Sequence, residues 1–144
     1  MTPFAFMFAS SLSACRDAEK SDEKEPPAPL DLAEVLGESE ARAGTVSDGS
    51  ALFGGSSAEG SVGDIKIYNS RVRFIIQSDR PSSYYLEHGG SLIDADIVRP
   101  DGQPGRDIID DFSPMIGFGR IVRPTSVEIL SDGSGGGAAA VRVE

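Results

Sequence analysis

The stretch from Gly63 to Gln77 limits the folds open to this chain more than any other. Ile65 and Ile67 alternate with Asp64, Lys66 and Tyr68; after Asn69-Ser70, Val72, Phe74 and Ile76 alternate with Arg71, Arg73 and Ile75. A period of two in β-branched and aromatic residues is the pattern of a half-buried strand. Two such strands joined at Asn69-Ser70 predict a hairpin, with Asn69 suited to a positive φ in the turn. The pattern places Val72, Phe74 and Ile76 on the core side and Arg71 and Arg73 toward solvent. A lone hairpin is marginal in water, so other segments must cover its apolar side.

At 144 residues the chain has room for one domain, and its apolar residues are unevenly spread. Residues 16–50 are polar and acidic, whereas 63–130 carry nearly all the β-branched and aromatic side chains. The division expected is 1–14 as a signal peptide, 15–62 as a lipidated cysteine, acidic Pro-rich tether and Gly/Ser connector, and 63–144 as a β-rich domain. Formal net charge is −10: residues 1–50 hold 4 basic and 10 acidic residues, and 51–144 hold 9 and 13. An acidic chain without a basic stripe argues against nucleic acid as a partner and against adsorption to anionic head groups. In the second half the basic residues are arginines except Lys66, and arginine can fork two hydrogen bonds to a carboxylate and so brace loops.

The single cysteine, Cys15, excludes an internal disulfide. Residues 1–14 are apolar or small, and polarity switches abruptly at Arg16-Asp17. Leu12-Ser13-Ala14-Cys15 resembles the lipobox of bacterial lipoproteins, in which the cysteine is lipidated and becomes the mature N-terminus. The resemblance implies a lipid on Cys15, a membrane partner through that anchor, and a place at the bacterial cell envelope, with the outer membrane or cell surface favoured because Asp17 stands one place beyond the retention position. A secretory signal begins with a basic segment; no Lys or Arg precedes Cys15, which is expected if the reading frame starts upstream of Met1.

Arg16–Pro29 carries mixed charges and then Pro26, Pro27 and Pro29, a composition that favours extended polyproline II and suits a spacer. Leu32, Val35 and Leu36 have helical spacing with Gly37 as a stop, a short helix needing a surface to dock on. The Gly- and Ser-rich run 54–60 lacks the Gly-Lys-Ser/Thr of a phosphate loop and reads as flexible connector.

Beyond the hairpin, Ser91–Arg99 reads as a third strand, with Ile93, Ala95 and Ile97 on one face and Asp94 and Asp96 on the other. A brief strand within 119–124, a better one at 126–130 and an alternating end at 138–144 follow; the last either pairs back onto 126–130 or is the unfinished edge of a longer protein. Many short strands and no long helical period predict an all-β fold, a small antiparallel sandwich or open barrel. Arg71–Ile76, Gly89-Gly90-Ser91-Leu92-Ile93-Asp94 and Gly105-Arg106-Asp107 are similar to the opening strands of mutarotase-like supersandwich domains, and to N-terminal domains of secreted bacterial proteins without known function. The catalytic residues of that sugar-processing family lie in later strands, so the resemblance supplies none here.

Among candidate sites, His88 has the right intrinsic pKa for acid–base work, with Glu87, Asp94 or Asp96 to orient it, or is a plain loop histidine beside Gly89-Gly90. Tyr84-Tyr85 point to opposite faces if extended, leaving one ring to stack on a sugar or both to packing. Asp94 and Asp96, with Asp107, Asp110 and Asp111, form the densest acidic set: calcium ligands, or partners of Arg99, Arg106, Arg120 or Arg123. One histidine and a committed cysteine leave no zinc site, and no other cofactor is expected. No Gly-x-Ser-x-Gly elbow or dinucleotide fingerprint is present. The expected function is a surface-tethered β-module that binds carbohydrate or an envelope protein, or supports the envelope; the alternative is the N-terminal part of a carbohydrate-active enzyme of mutarotase-like fold.

Overall fold

A computed structural model describes residues 30–81, 86–100, 103–117 and 119–144. The expected signal segment, Cys15 and the expected tether to Pro29 lie outside the described residues, as do Tyr84 and Tyr85.

The protein is all-β, built from antiparallel sheets as the strand pattern predicts. Strands β1 (Ala41–Thr45), β2 (Ile65–Asn69), β3 (Val72–Ile76) and β4 (Leu92–Ile97) form one sheet in chain order. Two small hairpins follow, β5 (Met115–Ile116) with β6 (Arg120–Ile121), and β7 (Val127–Ser131) with β8 (Ala140–Val143). The chain's last segment thus pairs back onto 127–131. The β7–β8 hairpin docks on the edge of β1: the Ala43 N–H donates to the Asp132 carbonyl at 3.0 Å and Arg42 donates to the Gly133 carbonyl at 3.0 Å.

The β2–β3 hairpin forms where the alternation places it, but the turn works differently. No non-glycine residue has positive φ among those described; instead the Asn69 side-chain oxygen accepts from the N–H groups of Arg71 and Val72, at 2.8 and 2.9 Å. An Asx-type bond closes the turn in place of left-handed backbone.

The two faces of the hairpin are inverted relative to expectation. Ile75, assigned outward with Arg73, is fully buried, whereas Val72, Phe74 and Ile76 are half-buried and Ile97 is 55% exposed. Register explains which residues travel together: Tyr68 lies opposite Arg73, which faces Asp96, and Lys66 lies opposite Ile75, which faces Asp94. This charged face is the covered one. Over it lie Leu32 and Leu36 from the segment 30–36, and Val46, Ala51 and Phe53 from the segment after β1, forming one cluster with Tyr68, Ile75 and Ile93.

Segments between residues 30 and 62 thus pack on or join the sheet. The segment 30–36 adopts a turn and not the short helix its spacing suggests; Leu32 and Leu36 dock while Val35 stays 74% exposed. Gly44 lets it lie close, since a Cβ there would come 2.9 Å from a Leu32 methyl. The run 54–60 is likewise strapped to the sheet. Gly55 bridges Asp107, and a Cβ on Gly55 would fall 2.3 Å from the Asp107 backbone, so glycine serves close approach here rather than flexibility.

Candidate functional site

Four aspartates organise the loops around the sheet. Asp64, fully buried, accepts from the Ser61 and Ser78 N–H groups and takes a two-pronged pair from Arg80, Nε to Oδ1 at 2.9 Å and Nη2 to Oδ2 at 2.7 Å. Burial works to raise its pKa, but these hydrogen bonds, Arg80 foremost, hold the carboxyl below the usual value. Asp94 accepts from the N–H groups of Glu59 and Gly60 at 2.8 and 2.9 Å; burial, with Asp107 and Glu59 nearby, pushes its pKa up. Asp107 accepts from the N–H groups of Ala95 and Ile109. Asp96 joins Arg73 and Arg99 and also accepts from the Arg106 and Ile97 N–H groups. Its burial is outweighed by those bonds, which hold it well below the usual carboxylate range.

Beside Asp96 the covered face opens into a cleft of about 200 Å³ between the segment 33–36 and the ends of β2, β3 and β4. Lys66 forms part of its floor. The residue is only 6% exposed, and its ammonium donates to the Leu32 carbonyl at 2.6 Å and sits 4.5 Å from the centroid of the Tyr68 ring. No carboxylate lies within ion-pair distance of it among the described residues. Burial pushes its pKa down to about 8, the Arg73 charge adding and Asp31 opposing. Tyr68 donates to the Glu34 carbonyl at 3.2 Å; burial, with Glu34 and Asp31, pushes its phenol up against the pull of Arg42. The Arg73 guanidinium stacks on Phe53, 4.6 Å from the ring centroid.

A second, apolar cleft of about 290 Å³ lies where the sheet meets the later hairpins, lined by Ile76, Leu92, Phe112, Val122, Pro124 and Val143 beside Gly89 and Gly90. Gly90 has φ +81°, and a Cβ there would come 2.9 Å from both Pro124 and Val143.

The residues singled out from sequence are dispersed. His88 is half-buried in a shallow groove with Asp79, Arg80, Glu87 and Arg123. Glu87 thus shares its surroundings, whereas Asp94 and Asp96 have their oxygens engaged elsewhere. Asp94 and Asp96 do share a face of β4, yet among the described residues no group of three His, Cys, Asp or Glu side chains could hold a metal ion. The expected pairing of the acidic set with arginine is seen for Asp96 with Arg99.

Lys66 and Arg73 were missed because a charge alternating with apolar residues reads as a solvent face. The available signal was Tyr68 on that same face, together with Gly44 on the neighbouring strand. No helix among the described residues is long and apolar enough to cross a membrane. Comparison of the chain with known protein families, characterised proteins and solved structures finds no match.

Proposed function

We propose that the protein is a non-enzymatic β-module tethered at the bacterial cell envelope by a lipid on Cys15, where it binds or supports an envelope component. The observation that carries the choice of binding over catalysis is the commitment of the buried carboxylates. Asp64, Asp94 and Asp96 accept hydrogen bonds at both oxygens, from backbone N–H groups or arginines, and Asp107 accepts two backbone N–H groups at one. A general acid or base must instead be free to exchange a proton with substrate. The cleft beside Asp96 and the apolar cleft at the later hairpins both offer room for a ligand.

The anchoring part rests on Leu12-Ser13-Ala14-Cys15 and the switch to charged residues after it. Cells expressing the chain behind a basic leader and fed labelled palmitate should incorporate label that Cys15→Ala abolishes. Equal labelling of the variant removes the lipoprotein reading.

A further inference from the structure

The cleft over Lys66 is rich in hydrogen-bond donors and poor in acceptors. Lys66, Arg73 and Arg99 line it, and one buried carboxylate, Asp96, serves both arginines. Lys66 Nζ carries three N–H bonds and gives one to the Leu32 carbonyl; its charge also rests against the Tyr68 ring, and no second hydrogen-bond acceptor takes it among the described residues. The Nε of Arg73 is buried and without a partner. In a chain of net charge −10, three cations gather here, and among the described residues the ion pairs they make are those of Arg73 and Arg99 with Asp96. Glu34, the carboxylate that lines the cleft, is exposed. A buried donor left unsatisfied costs about 1–3 kcal/mol, and more when charged, so such a floor favours an anion supplied from outside.

The walls narrow the class. Leu36, Val98 and Pro100 line the same cleft with apolar surface. An inorganic oxyanion would leave oxygens facing that surface without donors, whereas an organic acid sets its carboxylate on the cations and its carbon body against the wall. The volume of about 200 Å³ lies below the range of drug-sized pockets, about 300–1,000 Å³, and suits a short or branched acid.

We propose that the cleft roofed by residues 33–36 is a binding site for a small organic carboxylate, with Lys66 as its principal anchor and Arg73 and Arg99 completing the cationic floor. This deepens the binding reading and fails separately from it: a chain that takes up palmitate but no acid keeps its anchor and loses this site.

The charge that anchors the acid can be switched off in the unaltered protein. Around Lys66 stand Asp31 and Glu34 from the roof, Tyr68 beside it on β2, Arg42 on β1, Arg73 on β3, and Asp96 with Arg99 at the end of β4. Burial pushes the Lys66 pKa down to about 8, so its proton is lost over the interval from about pH 6.5 to about 9.5.

The test is calorimetric titration of the full chain with 3-methylbutanoate, its neutral amide and inorganic phosphate. The acid should bind saturably, and the amide and phosphate each at least about ten-fold more weakly. Raising the pH from 6.5 to 9.5 should weaken the acid about ten-fold or more. Lys66→Met should weaken the acid by a similar factor and remove the pH dependence; if that variant does not fold, the pH series and the amide decide on the native chain. Absence of saturable binding, equal binding of amide or phosphate, or an affinity flat across that pH range overturns the proposal.

Discussion

Replacing Ile75 with alanine is the sharpest test of which face of the sheet is the core. Ile75 is fully buried in the cluster with Leu32, Leu36, Val46, Phe53, Tyr68 and Ile93, and lies under Gly60, where a Cβ would sit 3.3 Å from its Cγ1. Ile75→Ala removes three carbons, a transfer loss of about 2.4 kcal/mol at about 0.8 each. A cavity contribution of about 1–2 kcal/mol brings the cost to about 4 kcal/mol. Phe74, the next residue, is half-buried on the opposite face, so Phe74→Ala should cost only about 1–1.5 kcal/mol. Against a total stability of about 5–15 kcal/mol for a domain, the first change takes a large share and the second a small one. Urea melts of both variants, read from midpoint at unchanged slope, make the comparison. If Phe74→Ala is the more damaging, the assignment of the charged face as the covered one is wrong.

Gly55→Ala should destabilise by about 1–3 kcal/mol or more, because its new methyl would overlap the Asp107 backbone; a melt superimposable on the native one would show that the 54–57 strap is not held as described. Asp64 and Asp96 have folded pKa values below their ordinary one, so their stabilisation is present above about pH 4 and is lost as pH falls through the folded values. Asp94, raised, opposes them; urea midpoints between pH 2 and 5 should still fall with acid, and Asp96→Asn should flatten that fall. Lys66 gives the reverse at alkaline pH: depressed to about 8 against 10.5, it loses its proton first in the folded state, so stability should rise over that interval by up to about 3 kcal/mol. Lys66→Met should abolish the rise, and an equal rise in that variant would assign it to another group.

What could be read in the chain, and what could not, divides along physical lines. Alternation from Ile65 to Ile76 is local, and it placed two strands and their turn; β4, β7 and β8 follow the same logic. Which face is covered is not local. It depends on Leu32, Leu36 and Phe53 arriving from elsewhere to lie over Lys66, Tyr68, Arg73 and Ile75, and a binary pattern records that two faces differ without recording where a third segment lands. Gly54–Gly60 misled for a related reason. Glycine permits flexibility and close backbone approach alike, and only the positions of Asp94 and Asp107 distinguish the two. The candidate cleft was least legible of all, since its floor comes from three strands and its roof from a segment whose spacing imitates a helix.

The order of the strands in space, β1-β2-β3-β4, is also their order along the chain, so the sheet can grow by adding each strand to the one just made. Nearest-neighbour pairing of this kind keeps loop-closure costs low and the search short. The roof breaks that sequence. Leu32 precedes Lys66, the donor to its carbonyl, by 34 residues, and Tyr68 reaches as far back for Glu34. A chain that emerges N-terminus first therefore produces the roof before any floor exists and must carry Leu32 and Leu36 uncovered until the β2–β3 hairpin has closed. Among the described residues the roof is made first yet has no floor to settle on until the hairpin closes, and a lysine stripped of water depends on that late contact.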